Sequence, residues 1–259
     1  MRVAVLPLFK SAEAGLGFKI GAGGDVTKKI DSVAEKTLID TLQELGISCT
    51  IISEEAGRIE IGSQPTELYL TVDPIDGTTN ALRGIPFVAI SMALSKTPYL
   101  RNVEAALVSD LFHEVTYTAM RGRGAQRNGE KIRPSSTPSL HDAVIGIDLN
   151  TLKMEQLTAI LMPLLRETRH TRHFGANSLE ICYVADGTTD AFIDLRGKFR
   201  VTDIAAANLI LQEARGIITT PNGKELDAPL DPTQRLSFIA AANIKIYEII
   251  KKNLNLSQL

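Results

Sequence analysis

The sequence predicts an α+β to α/β fold in which two subdomains pack helices and sheets in layers. Three observations predict it. Strand-like runs dominate residues 48–129. Helix-like and strand-like runs alternate from residue 143 onward. A Pro/Ser-rich stretch, Arg133–Asp142 (RPSSTPSLHD), separates the two patterns and puts the division at 1–138 and 139–259. With 259 residues, 44% hydrophobic and 22% charged, the chain can bury a core without disulfide or metal staples.

Each element has its local reason. Val3, Leu6 and Phe9 or Lys10 share one face of a short first helix. Arg2, the run Val3–Phe9 and Ala12–Ala14 imitate a secretory signal, but Lys10 interrupts the apolar run before any cleavage site. Ile30, Val33, Ala34, Leu38, Leu42 and Leu45 recur at helical spacing, predicting a helix over Lys28–Leu45 that Gly46 stops. A strand at Ser48–Ser53 ends in Glu54 and Glu55. After a Gly/Pro/Ser loop a second strand, Glu67–Val72, ends in Asp73. The following turn, Pro74-Ile75-Asp76-Gly77, leads into a short helix from near Thr78. Strands are expected at Phe87–Ser95, Val103–Ser109 and Glu114–Met120, with a hairpin turn at Gly122–Gly129. Beyond the linker come strand Ala143–Leu149, helices Met154–Glu167 and Ala176–Ala185, and strand Thr189–Asp194. Helix Asp203–Ala214, strands Ile217–Thr220 and Ser237–Ala241, and helix Ile244–Asn253 complete the chain.

A net charge of −2 does not suggest a nucleic-acid partner, which calls for a strong basic field. The basic clusters Arg121–Arg133 and Arg166–His173 read as solvated turns or helix ends. The longest charge-free apolar stretch, Gly84–Ser95, falls short of the roughly 20 residues that span a bilayer, so no membrane partner is expected. Cys49 and Cys182 lie in apolar surroundings and read as buried free thiols, which suits the cytoplasm. His113, His141, His170 and His173 show no metal-ligand spacing and read as surface or loop residues.

The chemistry lies in where the acids sit. Glu54 and Asp73 each follow a strand, and adjacent strand ends in one sheet bring such carboxylates together. Asp76 follows across a proline-fixed turn. Carboxylates crowded at one sheet edge repel unless a cation sits among them, and hard oxygen donors select Mg²⁺ or Mn²⁺. Gly77 permits close approach of the backbone to an anion, and free N–H groups at the next helix start suit phosphate oxygens. Read alone, the same residues also make an ordinary turn with an Asp cap.

The run Asp73-Pro74-Ile75-Asp76-Gly77-Thr78-Thr79-Asn80 resembles the signature of the inositol monophosphatase family, within the Mg²⁺-dependent, lithium-sensitive phosphatases. Further segments match in order. Asp25-Val26-Thr27…Asp31 is similar to the early D-x-x-T/S-x-x-D element, and Ser53-Glu54-Glu55 to the G/S-E-E element. Gly124-Ala125-Gln126-Arg127-Asn128-Gly129 is similar to the G-A-F-x-N-G hairpin, and Thr202-Asp203-Ile204-Ala205-Ala206 to W-D-x-A-A/G. The resemblance covers Asp25 to Ala241 and implies a layered αβαβα sandwich. It implies two to three Mg²⁺ per subunit, with Mn²⁺ as a substitute. Glu54, Asp73 and the Ile75 carbonyl are expected to hold the first; Asp73, Asp76 and Asp203 the second; Glu54 and waters a third. Thr78 and Asp25 are expected to orient and deprotonate the nucleophilic water, with the backbone of Gly77 and Thr78 holding the phosphate.

Two departures, Thr202 in place of the family's Trp and a longer segment between Asp194 and Asp203, resemble the archaeal branch. Its members often hydrolyse inositol monophosphate and fructose-1,6-bisphosphate. Asp194 takes the place of an acid contacting sugar hydroxyls, Arg172–Asn177 borders the substrate pocket, and Arg172 and Arg196 are candidates for a second phosphate. The expected activity is phosphate-monoester hydrolysis of a small molecule by a homodimer. A 3′(2′),5′-bisphosphate nucleotidase and a non-enzymatic partner-binding relative are the alternatives.

Overall fold

A computed structural model describes residues 1–64, 67–150 and 154–254. The chain opens with α1 (Arg2–Val5), a 3₁₀ turn at Leu6–Leu8, and the hairpin β1 (Gly17–Ile20) and β2 (Val26–Lys28). Next come α2 (Lys29–Glu44), β3 (Cys49–Ser53), β4 (Gly57–Ile61), β5 (Tyr69–Asp76), α3 (Thr78–Arg83) and β6 (Ala89–Ser95). Then follow β7 (Val103–Asp110), β8 (Thr116–Met120), β9 (Gly124–Arg127) and β10 (Glu130–Lys131). The rest is β11 (Val144–Ile147), α4 (Met154–Glu167), β12 (His170–Arg172), α5 (Asn177–Ala185), β13 (Ala191–Arg200), α6 (Val201–Glu213), β14 (Ile217–Thr219), β15 (Arg235–Ala241) and α7 (Ile244–Asn253).

Eight strands from β3 to β10 form one sheet, ordered β10-β9-β8-β7-β6-β5-β3-β4, and five form a second, ordered β12-β11-β13-β15-β14. Helices α5 and α6 fill the space between the sheets, with Leu179, Ile204 and Leu209 in one core with Tyr117 and Phe238. α6 is buried from Val201 through Leu211, as a sequence that is apolar or small apart from Thr202, Asp203 and Asn208 suits a central helix. α4 and α7 cover the outer face of the smaller sheet, and α2 covers part of the larger one through Leu38 and Leu42. The layer order is αβαβα. Among the described residues no helix is long and apolar enough to cross a membrane.

Several local expectations need correction. In the first helix Val5 is buried and Val3 is 88% exposed, because the helix is a single turn that the 3₁₀ segment redirects. Leu45 caps α2 and is exposed, one residue beyond the amphipathic face. The hairpin β1–β2 and strands β4 and β12 were not expected; β1, β2 and β12 have only three or four residues each, and β4, though it alternates Arg58, Ile59, Glu60 and Ile61, sits in a Gly-bounded stretch that reads as loop. The long segment after Asp194 is strand rather than loop. β13 stays paired with β15 through Arg200, and the extra residues between Asp194 and Phe199 form a bulge with Gly197 at φ +63°.

Candidate active site and metal centre

β3 and β5 run parallel, with Ser53 beside Val72, so Glu54, just past the end of β3, comes beside Asp73, which lies inside β5 rather than after it as expected. The turn carrying Glu54 is held from below by α2. Buried Glu35 accepts from Ser53 Oγ and, at 3.1 Å, from Ala56 N. Asp203 arrives from the first turn of α6. Ligand atoms of Glu54, Asp73 and Asp203 lie within 4.8 Å of one another. Burial and mutual repulsion hold Glu54 and Asp73 well above the usual carboxylate range, with Asp203 and Glu54 the nearest repelling charges respectively. Three acids this close and this dry form a hard oxygen donor set that fits a divalent cation such as Mg²⁺ or Mn²⁺.

Asp76 lines the same cleft but faces α5. Its carboxylate accepts from Asn177 N at 2.9 Å, Ser178 N at 2.6 Å and Ser178 Oγ at 2.5 Å. Burial raises its pKa to about 7, with Asp203 adding to the shift and the Ser178 bonds opposing it. Asp73 Oδ1 accepts from Ile75 N at 3.0 Å, fixing the turn, and the Ile75 carbonyl accepts from Thr78 Oγ1 at 3.2 Å. Gly77 sits at φ +96°, and a Cβ there would stand 3.1 Å from the Phe87 carbonyl oxygen and 3.2 Å from the Gly175 carbonyl oxygen. Only glycine turns the chain into α3 at this spot.

The partner of Thr78 is Asp31, not Asp25. Thr78 Oγ1 donates to Asp31 Oδ1 at 2.9 Å, while Asp31 Oδ2 accepts from Lys28 N at the start of α2. Burial, then repulsion from Glu55, lifts the Asp31 pKa to about 7. Asp25 stands at the rim of the cleft, its side chain 79% exposed and paired with Arg200. Both acids of the early motif line the cleft, and it is the second, Asp31 in the first turn of α2, that meets Thr78. Glu55 accepts from Thr27 Oγ1 and lines the same cleft.

A cavity of about 540 Å³ holds all these acids and adjoins a second of about 560 Å³; Asp25, Asn177, Arg200 and Asp203 line both. Asn177 Oδ1 is buried without a hydrogen-bond partner at that junction. Arg196 lines the second cavity but is spent on internal ion pairs, 2.5 Å from both Asp148 and Asp194. Asp194 is fully buried with both oxygens on Arg196 and lines neither cavity, whereas Asp148 does. Arg172 lies on the edge strand β12, exposed, with Nη1 on the Thr171 carbonyl, and lines neither cavity. Lys198, Arg200 and Arg235 are the other cations at the second cavity. His173 lies exposed in the loop between β12 and α5, as expected, but its ring is engaged. It is wedged between Asp148 and Glu180, and its bond to Glu180 raises its pKa. No motif in the sequence marked Asp148 or His173, since each depends on tertiary packing.

The sequence model of the inositol monophosphatase family matches residues 8–257. A fructose-1,6-bisphosphatase/inositol-1-monophosphatase of Methanothermobacter thermautotrophicus is 39% identical, over 97% of this chain and 91% of that protein. A bifunctional NADP phosphatase/NAD kinase of Methanococcus maripaludis is 35% identical over 92% of this chain, which spans 44% of that protein. A crystal structure of an inositol monophosphatase-fructose 1,6 bisphosphatase superposes with a TM-score of 0.84 at 33% identity, covering 98% of this chain and 94% of that one.

Proposed function

The chain belongs to the inositol monophosphatase family and is a phosphoric monoester hydrolase, and we propose that Glu54, Asp73 and Asp203 hold its divalent cations. The convergence of these three acids beside the Thr78–Asp31 pair carries the proposal. Two to three Mg²⁺, replaceable by Mn²⁺, suit the number of carboxylates, with the Ile75 carbonyl and Asp76 as further donors. When bound, the cations supply charge to the phosphoryl oxygens and lower the pKa of water. The chain's own residues do the remaining work. The Thr78 hydroxyl orients the attacking water, and Asp31, its pKa near neutrality, takes the proton. The backbone at Gly77 and Thr78 holds the phosphate. Asp25 serves the cleft rim rather than this relay.

The substrates proposed are inositol 1-phosphate and fructose-1,6-bisphosphate. Asn177 Oδ1 is a free acceptor for a sugar hydroxyl. Lys198 replaces Arg172 and Arg196 as the candidate for the distal phosphate, because Arg196 is already neutralised, Arg172 lies outside the cleft, and Arg235 donates through both Nη atoms to backbone carbonyls. A nucleotide substrate is the second reading, prompted by the NADP phosphatase relative. It needs an aromatic face for the base. Phe199 is buried at 1% exposure, and Phe174 packs on Phe87 and Tyr183, which favours the sugar phosphates. Two buried free cysteines suit a cytoplasmic enzyme. A homodimer is proposed.

Phosphate release with Mg²⁺ across inositol 1-phosphate, fructose-1,6-bisphosphate, NADP and 3′,5′-bisphosphonucleosides tests this reading. Turnover of the two sugar phosphates, with little on the nucleotides, is expected. Preference for a nucleotide would overturn the substrate assignment.

A further inference from the structure

The acidic cluster has a cation of the chain's own beside it. Arg200 ends β13, where the bulge delivers it to the junction of the two cavities, and its side chain is only 16% exposed. Nη1 lies 3.0 Å from Glu54 Oε1, and Nη2 pairs with Asp25 across the cleft rim. Glu54 is the same carboxylate that converges with Asp73 and Asp203, and both of those acids act on the Arg200 charge.

Arg200 is not a finished structural ion pair. Its Nε is buried and has no hydrogen-bond partner. A guanidinium carries five donors, and leaving a buried one unmade is unfavourable. Arg196, four residues earlier, shows the contrast: Nε, Nη1 and Nη2 all donate to Asp194, Asp148 or the Asn150 carbonyl. The chain passes over Arg200 at Gly23, where a Cβ would stand 2.9 Å from Arg200 Nε and 2.8 Å from Glu54 Cγ. The glycine lets the backbone close over the pair.

We infer that Arg200 is the internal counter-ion of the cleft and competes with the divalent cation for Glu54, so that it sets the metal affinity of the site. This rests on the reading of Glu54, Asp73 and Asp203 as metal ligands. A fixed guanidinium on Glu54 satisfies one carboxylate oxygen and repels a second cation nearby. Taking its charge away leaves the acids without that neighbour and opens Glu54 to the metal.

The experiment titrates EDTA-stripped wild type, Arg200→Met and Arg200→Lys with Mn²⁺ by calorimetry and follows thermal unfolding of each with and without Mn²⁺. Methionine keeps the packed stem and removes the charge; lysine keeps the charge. Arg200→Met is expected to bind Mn²⁺ about tenfold more tightly or better, and to gain more in Tm on saturation than wild type. Arg200→Lys is expected to stay within about threefold of wild type. An Arg200→Met protein that folds only with Mn²⁺ also supports the inference, provided that Arg200→Lys folds without it. Equal or weaker Mn²⁺ binding by Arg200→Met, or equal shifts in both variants, overturns it. If wild type binds Mn²⁺ and Asp73→Asn binds it equally well, the metal-ligand reading fails first and the inference with it.

Discussion

Thr78 and Asp31 form the hydroxyl–carboxylate pair proposed to direct a water in this cleft, and its geometry separates their roles. Thr78 donates to Asp31 and faces the Ile75 carbonyl, with its neighbour Gly77 pinned by sterics. Thr78→Ala is therefore expected to lower kcat by about two orders of magnitude with little change in Tm, checked by steady-state kinetics and thermal unfolding. Asp31→Asn should show a comparable loss in kcat, whereas Asp25→Asn, at the exposed rim, should cost less than about tenfold. Equal losses for Asp25→Asn and Asp31→Asn would return Asp25 to the relay. The reason the sequence pointed to Asp25 is physical. The D-x-x-T/S-x-x-D resemblance holds two acids and spacing alone does not choose between them; β2 carries the chain past Asp25, and α2 begins at Lys29, which turns Asp31 inward.

Elements, rather than single residues, decide whether the acids meet. The parallel pairing of β3 with β5 sets Glu54 beside Asp73, and Glu35 on α2 holds the turn after β3. Glu35→Ala is expected to destabilise the fold by about 1–3 kcal/mol, because the Ser53 hydroxyl and Ala56 N–H lose their acceptor. Denaturant unfolding measures that loss, and kcat should fall with it as Glu54 loosens. Gly77→Ala should cost about 1–2 kcal/mol or more, from a side chain at φ +96° against two carbonyl oxygens. Glu54 was legible in the sequence because a strand followed at once by Glu is a local pattern, whereas β5 continues past Asp73 to Asp76 along β6. Much of the order of the helices and strands was legible as well, through periodicity in α2 and α7 and through unbroken apolar and small-residue runs in α5 and α6. The bulge in β13 was not, since a strand that resumes pairing after extra polar residues looks like a loop until β15 is placed beside it. That bulge decides the fates of Arg196, Lys198 and Arg200, so substrate-side charge was the least legible part of the site.

Over the whole molecule, the αβαβα stack buries several acids at one place, and that has a pH signature. Asp31 and Asp76 move from 3.8 to about 7 in the folded chain, each chiefly through burial. Between those values the folded chain holds protons that the unfolded chain has released, so stability falls as pH rises from about 4 toward 7. In EDTA the Tm is expected to be lower at pH 8 than at pH 5; with saturating Mg²⁺, which binds the ionised acids, the gap should close or reverse. A Tm that ignores both pH and Mg²⁺ would contradict that picture. Anomalous diffraction from crystals grown with Mn²⁺ shows whether Glu54, Asp73 and Asp203 hold metal together. The expected result is a peak coordinated by all three carboxylates, with Thr78 and Asp31 facing the same cleft. A peak elsewhere, with none at these three residues, would contradict their joint role.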